Sequence, residues 1–121
     1  MATDYETILN EAHKAAETAV AIASIKYDEM GGACGFAWVV ISGNEPLARH
    51  CRAEIKKVPT SGGVRVWDRK FGDKGYPSGW QFWNPGNHGG QRVDIKEAGA
   101  KAFALKLAEY GIRADWASRL D

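Results

Sequence analysis

The chain has 121 residues, 45% hydrophobic and 26% charged, with a formal net charge of +1. That length and balance describe one soluble domain with a single core. They exclude a global field strong enough to draw the protein onto nucleic acid or membrane by charge alone. No apolar run approaches the ~18 residues that span a bilayer. Met-Ala-Thr-Asp at the start lacks the basic and apolar regions of a secretory signal. Cys34 and Cys51 are too far apart for a CxxC motif, and no four-ligand zinc pattern exists. These features predict a cytoplasmic protein with reduced thiols, without metal or cofactor.

Residues 1–30 read as an N-terminal helix. Thr3 and Glu6 fit a capping box. Ile8, Leu9, Ala12, Ala15, Ala16, Ala19, Val20 and Ala23 then recur at helical spacing. The stripe is mostly alanine, so the helix approaches a neighbour closely and buries little area per residue. Gly31-Gly32 break the chain. Cys34–Ile41 is a continuous apolar run with aromatic and β-branched character, which predicts a central strand covered on both faces. Phe36, Trp38 and Val40 point one way from it; Ala37, Val39 and Ile41 point the other.

Asn44 is placed to cap a second helix with Pro46 in its first turn, and Pro59 and Gly62-Gly63 end that segment. Val64–Arg69 alternates at its start as a half-exposed strand, residues 71–78 read as a loop, and Gly79–Asn84 as a third strand stopped by Pro85-Gly86. Asp94 with Glu97 predicts the start of the last helix. Gly111 fits its left-handed stop, and the alternation from Ile112 to Arg119 predicts a final strand. The expected fold is α+β: an N-terminal helix followed by a βαββαβ ferredoxin-like (split βαβ) four-stranded antiparallel sheet over 34–121, in a single domain spanning 1–121. The sheet face away from the two crossover helices needs cover, from the N-terminal helix or from a second subunit.

Residues 75–91 are the most informative stretch. Four aromatics sit there among five glycines and two prolines. Large rigid rings beside bare backbone suit a surface that grips something flat or polar. Trp80 and Phe82 share one strand face, Gln81 and Trp83 the other, and Trp67 lies on the preceding strand. Residues 49–74 hold eight basic side chains against three acidic ones, whereas residues 1–30 hold six acidic against two basic. The candidate ligand contacts are therefore Trp67, Trp80, Trp83, Asn87, His88 and Arg92, with Arg65 and Arg69 as anion partners. Gly86, Asn87, Gly89 and Gly90 offer backbone amides for an anion-binding concavity. No catalytic set emerges. Cys34 opens an apolar strand and reads as a buried, inert thiol, and His13, His50 and His88 are scattered.

Two resemblances add to this reading. The βαββαβ order with aromatics on its first and third strands resembles an RNA-recognition-motif domain. Gly79-Trp80-Gln81-Phe82-Trp83 is similar to that family's third-strand motif at its glycine and two aromatic positions, with Ser78 where the family has Lys or Arg. Cys34-Gly35-Phe36-Ala37-Trp38-Val39, Gly79–Pro85, Ala98–Ala104 and Ser118–Asp121 together resemble a family of small proteins encoded by tailed bacteriophages. That resemblance implies expression in the host bacterial cytoplasm and a non-structural role, and carries no catalytic residues. The expectation is a non-enzymatic, homo-oligomeric counter-defence protein that sequesters a nucleotide-type small ligand. The alternatives are an inhibitor that binds a host protein through exposed tryptophans, or a single-stranded nucleic-acid binder.

Overall fold

The computed structural model describes residues 4–27, 32–57, 60–61, 64–65, 69–75 and 78–121, with 60–61, 64–65 and 69 described by backbone alone. Helix α1 (Tyr5–Lys26) is capped by Asp4. The predicted cap, Thr3, lies outside the described residues. The Asp4 carboxylate accepts from the Thr7 hydroxyl at 2.5 Å and the Thr7 amide at 3.2 Å. Those two bonds hold its carboxyl below the usual range. The predicted stripe is the buried face, with Ile8, Leu9, Ala12, Ala16, Val20 and Ala23 turned inward.

Strand β1 (Gly35–Ile41) follows, and then α2 (Pro46–Ile55). The cap of α2 is Glu45 rather than Asn44, and it makes no side-chain capping bond. Proline at the first helical position forces the residue before it into extended geometry, which leaves Glu45 at φ −62°, ψ 135° as the boundary. Two short strands, β2 (Thr60–Ser61) and β3 (Val64–Arg65), pair with each other in a separate two-stranded sheet. Of the strand expected over Val64–Arg69, residues 66–68 lie outside the described residues.

The edge of the main sheet is instead β4 (Asp73–Lys74), inside the stretch expected to be a loop. Its cause is tertiary. Trp80 donates its indole N–H to the Phe71 carbonyl at 2.7 Å, pinning the short 3-10 turn Arg69–Phe71 against β5 (Trp80–Trp83). Gly72, at φ 71°, turns the chain into β4 where a Cβ would strike the Gln81 carbonyl.

Helix α3 (Val93–Glu109) starts from Arg92, two residues before the predicted cap. Asp94 lies in the first turn, where its charge complements the helix dipole, and it accepts from Arg92 Nε at 2.6 Å. The helix ends as expected: Gly111 takes φ 78°, its amide reaches Ala108, and the Ile112 amide reaches Leu107, a Schellman closure. Strand β6 (Ala114–Leu120) completes a four-stranded antiparallel sheet in the order β4-β5-β1-β6.

All three helices lie on one face of that sheet. Ala37, Val39 and Ile41 of β1 and Trp80 and Phe82 of β5 form one core with Leu9, Ala12, Leu47, Cys51, Phe103 and Leu107. The N-terminal helix packs beside α3 in this layer, and among the described residues no helix covers the opposite face. Small residues allow it: a Cβ on Gly99 would come within 2.8 Å of Val20 Cγ2 and 3.2 Å of Gly86 Cα.

Candidate functional site

The open face of the sheet carries the rings that the core does not use. Strand alternation places Phe36, Trp38 and Val40 of β1 there, along with Gln81 and Trp83 of β5. The register sets three rows across the sheet. Gln81 lies opposite Val40, which lies opposite Asp115, and Asp73 of β4 flanks Gln81. Trp83 lies opposite Trp38, and Trp38 opposite Ala117. Phe36 lies opposite Arg119. Two carboxylates thus mark one end of the face and a guanidinium the other, with indoles between.

The rings form one surface. Trp38 and Trp83 stack at 5.3 Å with planes 14° apart, and Phe36 sits 5.5 Å from Trp83. Trp83 is 37% exposed. Arg119 covers Phe36 at 5.6 Å, and Lys96 approaches the same ring at 5.1 Å while donating to the Gly35 carbonyl at 3.0 Å. Beside Trp83 runs a groove lined by Gly72, Asp73, Gln81 and Trp83.

The residues singled out from sequence fall in different places. Trp83 is on the open face. Trp80 is 5% exposed and belongs to the core, with its N–H spent on Phe71 and Arg52 packed over its ring at 5.5 Å. A ligand cannot reach it in this fold, which corrects its assignment as a contact. Trp67 lies outside the described residues, and so do the side chains of Arg65 and Arg69.

Asn87, His88 and Arg92 follow β5 in a loop that folds toward the helices. Asn84, at φ 45°, donates from its side chain to the His88 carbonyl at 2.9 Å. Gly86 is buried where a Cβ would collide with Val20 and the Ala16 carbonyl. Its glycine therefore serves packing against α1, and it drops out of the expected anion concavity. Arg92 sits over the Tyr27 ring at 4.8 Å and binds Asp94. Three of the eight basic side chains in 49–74 are engaged within the fold: Arg52 donates to the Gly43 carbonyl, Lys57 pairs with Glu54, and Lys70 with Glu6.

Phe36, Trp38, Gln81, Asp73 and Arg119 join the candidate site only once the fold is known. The signal was available in the strand alternation of Phe36, Trp38 and Val40, which was read as a second buried face.

The titratable candidates for catalysis are dispersed. His13 lies between two carbonyls, Nε2 at 3.0 Å from Lys70 O and Nδ1 at 3.4 Å from Pro85 O, and edge-on to Phe103. His50 packs against Tyr5 and Phe71, 3.7 Å from the Glu6 carboxylate. Cys51 is fully buried, and burial pushes its thiol up to about 12. Cys34 is exposed, contrary to the expected buried thiol, because β1 begins only at Gly35 and leaves it at the rim. Among the described residues no group of three or more His, Cys, Asp or Glu could hold a metal ion, and no helix is long and apolar enough to cross a membrane. Comparison with protein-family models, curated proteins and solved structures found no match.

Proposed function

We propose that this chain is a non-enzymatic binding protein that takes a nucleotide-type ligand on the open face of its sheet, with the base stacked on Trp83. The observation that carries this reading is the contiguous ring surface of Phe36, Trp38 and Trp83 on the two central strands. A core position needs rings to be sealed; these are half-exposed beside polar groups, as a stacking platform requires. The resemblance to small phage proteins supplies a setting, the infected bacterial cytoplasm, in which sequestering a signalling nucleotide would counter a host defence. We also infer a ferredoxin-like core, supported by the order β4-β5-β1-β6 with the helices on one face. A homo-oligomer belongs to the same reading. Among the described residues β6 pairs on one side only, and Trp116 and Leu120 are exposed along it on the helix-bearing side of the sheet, so a second copy would extend the sheet at that edge.

Single-stranded nucleic acid is the second reading. It is favoured by the form of the surface, an open sheet face with rings on adjacent strands, which suits a strand laid across it. Titration with nucleoside monophosphates and with short oligonucleotides, followed by indole fluorescence, tests both. A saturable quench that weakens about 5- to 150-fold in Trp83→Ala, the equivalent of ~1–3 kcal/mol per stacked base, supports stacking on this face. A steep loss of oligonucleotide affinity with salt selects the strand. No quench and no thermal shift with any of them at millimolar concentration ends the proposal.

A further inference from the structure

The groove beside Trp83 has a polarity that chooses among bases. Asp73 and Gln81 are direct cross-strand partners on the open face, so their Cβ atoms lie ~4.5–5.5 Å apart and their side chains rise together. Gln81 and Trp83 are two residues apart on one strand and share the same face. Carboxylate, amide and indole are therefore neighbours around one concavity, which Gly72 also lines. The Lys74 amide donates to Asp73 Oδ1 at 2.7 Å, which fixes the carboxylate at the start of β4, and its second oxygen accepts from no other described residue. Gln81 is half-buried between β4 and β1.

An ionised carboxylate only accepts hydrogen bonds, whereas a glutamine amide also donates. A carboxylate beside a stacking ring selects a base edge with adjacent donors. Of the four RNA bases only guanine has two, its N1–H and exocyclic N2–H₂, and it carries the O6 acceptor on the same edge. Adenine would turn its N1 lone pair toward the carboxylate. Cytosine would bring two acceptors and uracil one donor between two acceptors. An acceptor on that edge would face the carboxylate lone pairs and leave a hydrogen-bonding group unpaired, which favours guanine over the other bases.

We propose that this groove holds guanine, stacked on Trp83, with N1–H and N2–H₂ on the Asp73 carboxylate and O6 on the Gln81 amide. The inference rests on the reading of the open face as a base-stacking surface. The charge layout fits it. The base edge meets the acidic end of the face, where Asp73 and Asp115 lie, and the attached phosphate extends over the rings toward Arg119 at the other end. The guanine belongs either to a free nucleotide or to a strand, since the base edge is the same in both.

The test is a fluorescence titration of the full chain with GMP, IMP, AMP, CMP and UMP, in the wild type and in Asp73→Asn. Asp73 is exposed on a two-residue edge strand, so far-UV circular dichroism and an unchanged melting temperature can certify that the variant folds. GMP binding at least ~10-fold tighter than AMP, with IMP weaker than GMP because it lacks N2–H₂, is the expected wild-type result. Asp73→Asn should erase the GMP-over-IMP difference and narrow the GMP-over-AMP difference, because the amide can also donate to the adenine N1. Equal binding of all five nucleotides by the wild type overturns the guanine assignment and leaves base stacking intact. A guanine preference that survives Asp73→Asn overturns the role of the carboxylate. No binding of any nucleotide, alone or in a strand, removes the stacking reading and this inference together. The pentamers UUGUU and UUAUU separate the sources: tighter binding of UUGUU than of both GMP and UUAUU assigns the guanine to a strand, and GMP binding as tight as UUGUU assigns it to the free nucleotide.

Discussion

The two faces of the sheet are built from the same few residues of β1 and β5, yet they solve opposite problems. On the covered face, Ala37, Val39, Ile41, Trp80 and Phe82 alternate small and large so that three helices can close over them. Trp80 is buried there without leaving its donor unpaired, because its N–H goes to the Phe71 carbonyl. On the open face, Phe36, Trp38 and Trp83 pack against one another and remain half in water, with Asp73, Gln81 and Arg119 beside them. Rings of one kind thus serve stability on one side and, in the proposed function, recognition on the other. Substitutions should separate the two roles.

Phe82→Ala should have the largest effect. The ring is fully buried, 4.9 Å from Phe103 and edge-on to His13, so its loss leaves a cavity that the helices cannot fill. A cost of ~3–5 kcal/mol is expected, against a total stability of ~5–15 kcal/mol for a domain of this kind. Urea unfolding should show a much lower midpoint with an unchanged slope. A midpoint within error of wild type would mean that the covered face is not the core.

Trp80→Phe comes next. The substitution keeps an aromatic, though smaller, ring but removes the indole N–H, leaving the Phe71 carbonyl buried without its donor. A loss of ~1–3 kcal/mol is expected. It should be concentrated at the edge, because that bond holds the turn that feeds β4. Faster amide exchange at Asp73 and Lys74 than at β1 would localise it. Uniform exchange would place the damage elsewhere. Nucleotide binding at Trp83 should weaken only as far as the Asp73–Gln81 pair is disturbed.

The elements were legible where local chemistry decided them. Period 3.6 in α1, the unbroken apolar run of β1, and Gly111 as the stop of α3 all correspond to elements of the fold, because each depends on residues within a turn or two. The helix starts shifted where a neighbour overrode the apparent cap: Pro46 moved the boundary of α2 to Glu45, and Asp94 serves the first turn of α3 instead of capping it. The β4 edge was not legible at all. It exists because a tryptophan nine residues away in sequence donates to Phe71, a link that no window on the sequence displays.

Half of the site was legible for the same reason. Trp83 was named, since a glycine- and proline-flanked aromatic run carries its own signal. Its partners Phe36 and Trp38 were seen to share a face, but which side the helices take depends on how α1 and α3 meet. That is decided by Ala12, Ala16, Gly86 and Gly99 across long sequence separations. Trp80 was misassigned because aromatic character alone does not tell a ring beside a ligand from a ring beside Phe71. Alternation with Trp83 settles it once one of the two is known to be exposed.

Trp83→Ala should have the smallest effect on folding, and this is where the contrast between the faces is sharpest. The residue is exposed on one side, so its truncation creates no sealed cavity. What is lost is the stacked contact with Trp38 and the tilted one with Phe36, worth ~0.5–1.5 kcal/mol for an aromatic pair. The variant should therefore keep a melting temperature within a few degrees of wild type while losing nucleotide affinity, whereas Phe82→Ala, one residue earlier in the chain, should unfold easily. If Trp83→Ala were as destabilised as Phe82→Ala, Trp83 would be a core ring of an assembly, covered by a second copy of the chain. Dilution would then tell: the destabilisation of a subunit contact grows as protomer concentration falls, and that of a cavity inside one chain does not.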